Sequence, residues 1–201
     1  MALRMTHLPL ILILAAGAAS RMRGGDKMLE QVAGVPQLRR IVNAACATGA
    51  PVRVALPPDR PLRAAALTGL ACEQVLVANA SAGMSASICA GIAGWTGAVM
   101  ILPADMPDLD TPMLQRMLAC HRQDPRALLR GSSGAEPGHP VLFPADLVPA
   151  LRDLQGDAGA RPVVQAAHNR LRLVPLPDRA ALTDLDTPED WAAWRAARPE
   201  A

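Results

Sequence analysis

Leu8-Pro9-Leu10-Ile11-Leu12-Ile13-Leu14-Ala15-Ala16-Gly17-Ala18-Ala19-Ser20-Arg21-Met22-Arg23-Gly24-Gly25-Asp26-Lys27 opens on seven apolar residues and closes on small residues, three basic side chains and an acid. An apolar run of this length reads as a strand buried on both faces, the kind found in parallel sheets. The glycine turn after it then lies at the carboxyl end of a strand, where open α/β sheets bind ligands. A competing reading is a secretory leader: Arg4, the apolar run 8–16, then Ala-Gly-Ala-Ala-Ser as a small-residue cleavage site. The strand is preferred because the run is short, contains Pro9, and is followed by residues that make sense as a site.

Outward from this stretch, strand-like and helix-like segments alternate. Strands are predicted over 52–56, 73–77 and 98–102, and helices over 36–48, 59–67, 84–93 and 111–120, the last with Thr111 as cap. This order implies an α/β fold with a doubly wound, mostly parallel sheet and helices on both faces. Beyond Arg130 the pattern loosens. Residues 131–140 read as a polar loop and 141–143 as a short strand. Residues 145–154 and 159–167 read as helices around a loop at 156–159. A strand over 171–174 and a closing helix over 188–197 complete the chain, with Trp191 and Trp194 as packing residues. At 201 residues this is a single domain, 1–201, with enough chain for a sizeable core.

Composition narrows the function. The net charge is +2, and nothing in the sequence resembles the concentrated basic face that a nucleic-acid binder needs. No run reaches the length of about 20 apolar residues that spans a membrane. Cys46, Cys72, Cys89 and Cys120 form no C-x-x-C pair, which points to buried free thiols in a reducing, cytoplasmic setting. Nineteen of the basic residues are Arg and one is Lys, and that Lys is Lys27, in the Gly-rich loop.

Three segments carry chemistry. In 14–27, small residues let backbone N–H groups approach phosphate oxygens, and Arg21 and Lys27 add positive charge. Neither G-x-G-x-x-G nor G-x-x-x-x-G-K-[ST] is present, so the two commoner phosphate loops are excluded. In Leu102-Pro103-Ala104-Asp105-Met106-Pro107, Asp105 lies just past a strand, on the same sheet edge, where a carboxylate can hold Mg²⁺. In Leu185-Asp186-Thr187-Pro188-Glu189-Asp190, spacing alone favours a helix start with Asp186 in a capping role. The functional reading is that Asp186 is a second Mg²⁺ ligand facing Asp105.

These segments, with Gly83-Met84-Ser85-Ala86-Ser87, Gly138-His139-Pro140-Val141 and Gly156-Asp157-Ala158-Gly159-Ala160-Arg161, occur in one order along nearly the whole chain. In that order the chain resembles the molybdenum-cofactor nucleotidyltransferases (MobA-like NTP transferases), most closely their cytidylyltransferase branch. The resemblance implies a Rossmann-like fold of the nucleotide-diphospho-sugar transferase type and Mg²⁺-dependent transfer of CMP from CTP to the terminal phosphate of molybdopterin. It implies nucleotide binding by Leu14, Ala15, Ala16, Gly17, Arg21, Lys27, Gly83, Met84 and Ser85. Lys27, Arg21 and Asp105 take catalytic roles, and Asp105 and Asp186 bind the metal. Gly138, His139, Pro140, Asp157 and Arg161 face the pterin substrate. His139 weighs equally as a loop or packing residue. In guanylyl-transferring relatives the 83–87 segment typically reads Gly-Pro-Leu-Ala-Gly, so its sequence here favours cytosine. The family run Arg-Met-Gly-x-x-Lys is longer by one residue here, Arg23, which bears on where Lys27 stands. A molybdenum hydroxylase or its maturation chaperone is the implied protein partner.

Two other functions fit parts of this pattern. One is a nucleotidyltransferase for another small phosphate acceptor, such as a sugar phosphate. The other is a non-catalytic chaperone of the molybdenum cofactor, against which the joint presence of Lys27, Asp105 and Asp186 speaks.

Overall fold

Leu10, Ile11, Leu12 and Ile13 are all buried, and they alternate between two cores. Ile11 and Ile13 belong to one, Leu10 and Leu12 to the other. Such a strand needs neighbours on both edges and helices on both faces. The computed structural model, which describes residues 8–198, supplies both. The central strand is β1 (Leu10–Leu14). A small hairpin follows, β2 (Gln31–Val32) and β3 (Val35–Pro36), then α1 (Gln37–Cys46), β4 (Val52–Leu56), α2 (Pro61–Ala66), β5 (Glu73–Leu76), α3 (Met84–Gly91), β6 (Val99–Pro103) and α4 (Thr111–Gln123). The second half adds β7 (Leu128–Ser133), β8 (Glu136–Phe143), α5 (Val148–Arg152), α6 (Arg161–Ala166), β9 (Leu171–Pro175) and α7 (Pro188–Ala196).

Seven strands form one sheet in the order β5-β4-β1-β6-β8-β7-β9. β1 pairs in parallel with β4 and β6, as do β4 with β5 and β7 with β9. β8 alone runs against its neighbours β6 and β7. Leu38, Ile41 and Val42 of α1 and Leu114 and Met117 of α4 pack on the Ile11 face. Ile88 of α3, Leu151 of α5 and Val163 of α6 pack on the Leu12 face. The chain leaves β1 with strands on either side, a switch point where open α/β sheets form their ligand crevice. The ends of β1, β4, β5, β6, β7 and β9 lie at one edge, and β8, being reversed, starts there.

The expected mostly parallel sheet with helices on both faces is present. Three local expectations are corrected. Residues 131–140 are not a loop: they are most of a β7–β8 hairpin turning at Gly134 and Ala135. The apolar signal is missing because small residues are required there. A Cβ on Gly131 would come within 2.4 Å of the His139 carbonyl oxygen across the hairpin. The cap of α4 is Asp110, not Thr111: its side chain accepts from the Met113 N–H at 2.9 Å. The cysteines are free but half-buried rather than buried. Arg4, part of the leader reading, lies outside the described residues. Among those residues no helix is long and apolar enough to cross a membrane. Trp191 and Trp194 are buried and pack with Met22, Val32 and Leu185 in a third, smaller core.

Candidate active site

Three loops, those after β1, β6 and β9, converge at the carboxyl edge of the sheet. The first, residues 15–27, leaves β1 and contains one short 3₁₀ turn, Ser20–Met22. Ala19 and Arg23 take left-handed backbone conformations, with φ of 53° and 49°. The residue that lengthens the loop is thereby folded outward, and the Arg23 guanidinium pairs with Glu189 at 2.7 Å on the surface. Lys27 consequently still reaches inward.

Its ammonium lies between two carboxylates. It donates to Asp105 Oδ2 and, at 2.5 Å, to Asp186 Oδ1. The Lys27 side chain is only 12% exposed, so it is not the open loop side chain that a glycine-rich setting suggests. Burial by itself would lower the Lys27 pKa, but the charge and hydrogen bond of Asp105, and then Asp186, outweigh it and hold the ammonium above its ordinary value. Arg21 reaches the other oxygen of Asp186 at 2.6 Å from an exposed position.

Distant parts of the chain bring these groups together. Asp105 follows β6 in a loop that α1 holds from below. Gln37 donates to the Ala104 carbonyl at 2.8 Å, and Arg40 donates to the carbonyls of Met106, Pro107 and Leu109. Asp186 arrives after β9, where the Leu185 N–H donates to the Asp105 carbonyl at 3.1 Å. Asp186 is not the cap of α7. Thr187 is, in a reciprocal capping box with Asp190, which leaves the Asp186 carboxylate to face Lys27. The capping expectation for Asp186 is therefore displaced by one residue. Asp108 is tied to α7 by Trp194 Nε1 and Arg198.

This donor set fits Mg²⁺. Asp105 Oδ1 is buried with no hydrogen-bond partner, leaving a hard anionic oxygen with free valence. Among the described residues no three His, Cys, Asp or Glu side chains are grouped to hold a metal. A cation here would therefore take two carboxylates, Asp105 and Asp186, and complete its shell with substrate oxygens, as Mg²⁺ commonly does.

Two clefts flank the end of β1. The first is lined by Ala16, Gly17 and Ala18, by residues 57–60 after β4, and by Ala78, Ala80 and Ser81 after β5. The second is lined by Leu14, Met84, Arg130, His139, Asp157 and Arg161, with Phe143 and Ile101 on its floor. They measure about 270 and 230 Å³, two modest clefts rather than one large pocket. The second is cationic. Arg130, which the sequence reading missed, donates to the Gly138 carbonyl at 2.9 Å. Burial, and then the like charge of Arg161, holds it below its ordinary pKa. His139 is lowered to about 4 by burial and by Arg130, against the pull of Asp105. Its ring is therefore neutral near pH 7, and Nδ1 is buried without a partner.

The remaining expected residues divide. Ala15 is buried under its loop. Gly83 has φ of 100°, and a Cβ there would strike Asp157 Oδ1 and the Gly156 carbonyl, so it joins α3 to the 156–159 turn. Met84 lines the second cleft, not the first. Ser85 is buried with Oγ unpartnered. Gly138 and Pro140 do not line either cleft. Gly138 is a packing glycine, since a Cβ would come within 1.9 Å of the Ala181 carbonyl oxygen.

The profile of the MobA-like NTP transferase domain matches residues 11–171. The chain is 31% identical to a probable molybdenum cofactor guanylyltransferase of Natronomonas pharaonis over 89% of its length and 92% of the relative. It is 32% identical to a molybdenum cofactor guanylyltransferase of Cupriavidus metallidurans over 88% and 89%. A nucleotidyl transferase from Methanothermobacter thermautotroptrophicus superposes with a TM-score of 0.80 at 21% identity, covering 94% of this chain and 97% of that one. Asp186 lies beyond the profile match.

Proposed function

We propose, since this chain belongs to the MobA-like NTP transferase family, that it transfers the nucleotidyl group of a nucleoside triphosphate to the terminal phosphate of molybdopterin. The observation that carries this reading is the meeting of Lys27, Asp105 and Asp186 just beyond the end of β1; none of the three lines either of the clefts that flank that strand end. The first cleft, walled by the glycine loop, takes the triphosphate. The second, with Arg130, Arg161 and neutral His139, takes the anionic acceptor.

The reaction is an in-line displacement. An oxygen of the acceptor phosphate attacks the α-phosphorus, and the bond to the β-phosphate bridging oxygen breaks with loss of pyrophosphate. A phosphate monoester is already nucleophilic, so no side chain must remove a proton. Lys27 and Arg21 neutralise charge that grows on the transferred and leaving oxygens, and the two clefts hold the partners in line. Asp105 and Asp186 would hold Mg²⁺, which when bound supplies electrostatic stabilisation of the phosphate oxygens.

Two supports point to different bases. The curated relatives are named guanylyltransferases, which favours GTP. Gly83-Met84-Ser85-Ala86-Ser87, in place of Gly-Pro-Leu-Ala-Gly, favours CTP, although Met84 lines the acceptor cleft rather than the glycine-loop cleft. Pyrophosphate release measured with CTP, GTP, ATP and UTP in competition, with and without molybdopterin, tests both levels. Release that depends on molybdopterin carries the reaction, and the preferred triphosphate assigns the base. Release with a sugar phosphate but not with molybdopterin would replace the acceptor.

A further inference from the structure

Arg63 on α2 is fully buried, touches neither Asp105 nor Asp186, and lines neither cleft. Its guanidinium lies beneath the glycine loop and grips it at both ends. Nη1 donates to the carbonyls of Ala15 at 2.6 Å and Gly17 at 2.8 Å. Nε and Nη2 form a fork on Asp26, at 2.7 and 2.9 Å. Asp26 Oδ1 also accepts the Met28 N–H at 3.0 Å, so the residues on both sides of Lys27 are fixed through one carboxylate.

A buried ion pair is a poor device for stability alone, since apolar residues of like volume usually do as well or better. What this one does is geometric. A planar trans peptide places its C=O and N–H on opposite sides. Drawing the Ala15 and Gly17 carbonyls inward to Arg63 therefore turns the N–H groups of Ala16 and Ala18 the other way. Both of those residues line the first cleft.

We propose that Arg63, anchored on Asp26, is a positioning residue for nucleotidyl transfer: it aims the Ala16 and Ala18 amides at the triphosphate and sets the register of Lys27. This rests on the reading that the first cleft takes the triphosphate. Lysine keeps the charge but cannot form the fork, so Arg63→Lys is the first variant, with Asp26→Asn as the second and their double mutant as the third. In each, kcat and KM are measured separately for triphosphate and for molybdopterin, with amide hydrogen exchange across the chain. The expected result is native circular dichroism and kcat/KM for the triphosphate lower by about 10²-fold, the scale of a small misplacement at the reacting centre. KM for molybdopterin stays within about twofold, and exchange is faster in the 15–27 loop but not in β6 or α4. The double mutant should be no worse than the worse single one, because the two groups act as a unit.

Folded variants that melt lower but keep the wild-type kcat/KM for triphosphate would overturn the proposal and leave Arg63 as core packing. If Arg63→Lys does not fold, Asp26→Asn decides on the same readouts. Wild-type protein that turns over no triphosphate with molybdopterin would sink the functional reading instead. The positioning of the loop is then judged by its amide exchange and by Mg-triphosphate affinity in the variants.

Discussion

Lys27 has two tasks that a single substitution separates. In the free protein it pairs with Asp105 and Asp186; in the proposed transfer it faces phosphate oxygens. Lys27→Ala should lower turnover by about 10²-fold, the effect of losing one charge-stabilising donor. It should also destabilise the fold by about 2 kcal/mol, somewhat less than the 3–5 of a fully buried pair, because two carboxylates are left facing each other. Mg²⁺ should raise the melting temperature of Lys27→Ala more than that of the wild type, since the cation takes the place of the ammonium. Equal shifts by calorimetry would mean that the carboxylates do not share a cation. His139 makes a second prediction. In the unfolded chain it gains a proton as pH falls through its ordinary 6.5, whereas in the fold it resists until about 4. The stability that its neutral state contributes is therefore present above pH 6.5 and is lost as pH falls toward 4, up to roughly 3 kcal/mol. Denaturant midpoints across this range should fall more steeply for the wild type than for His139→Gln; parallel curves would remove His139 from the acid response.

At the scale of elements, α7 shows how one residue of register separates structure from chemistry. Thr187 and Asp190 close the capping box, and Asp186 stands just before it with its carboxylate free. Thr187→Ala should cost about 1 kcal/mol of stability and little turnover. Asp186→Asn should do the reverse, losing most activity with a near-native melting temperature, and a matching pair of profiles would contradict this division. Asp-Thr-Pro in the sequence signals a helix start, but only the fold says which of Asp186 and Thr187 turns toward the helix. The same applies at Asp110-Thr111-Pro112, where it is the Asp that caps. The parallel strand at Leu10 was legible because burial on both faces leaves an unbroken apolar run, and the one at Val52 because its run is interrupted only by Arg53, which reaches out to Glu73. The β7–β8 hairpin was not, because its cleft-facing and close-packed positions are Gly, Ser, His and Pro. Arg63, Gln37 and Arg40 were equally hidden: nothing local distinguishes a surface arginine on a short helix from one that folds under a loop. The glycine loop and Asp105 were legible as a group at one sheet edge, because small residues, a lysine and an acid each follow an apolar strand; Asp186 was not, because its spacing reads first as a helix cap.

For the whole molecule, the segment after β9 closes the structure over the site. Leu176 to Asp186 runs back along the carboxyl edge of the sheet. The His139 N–H donates to the Ala181 carbonyl at 2.8 Å, and Leu185 pairs with Asp105. α7 and the residues just after it then tie down two of the loops: Trp194 and Arg198 hold Asp108, and Arg195 holds Glu30. Trp191 is buried against Trp194, with ring centroids 6.1 Å apart in an edge-on arrangement, and Met22 of the glycine loop belongs to the same core. A helix so placed cannot detach without releasing the site, so the chain should unfold as one cooperative unit. With Trp95, which packs on the other core, replaced by Phe, the fluorescence of Trp191 and Trp194 reports on α7, whereas circular dichroism reports on the sheet and all the helices. The two signals should therefore trace one transition in denaturant. Trp191→Ala should lower the midpoint by about 3–5 kcal/mol of stability with an unchanged slope, as expected if the same surface is exposed on unfolding. It should also weaken triphosphate turnover at temperatures where the variant is still folded, because Met22 loses its backing. A fluorescence transition that precedes the circular dichroism transition would instead mark α7 as a separate unit laid on the domain. Asp186 would then be delivered to Lys27 by docking of that unit, and turnover should fall in step with the fluorescence change rather than with loss of the sheet.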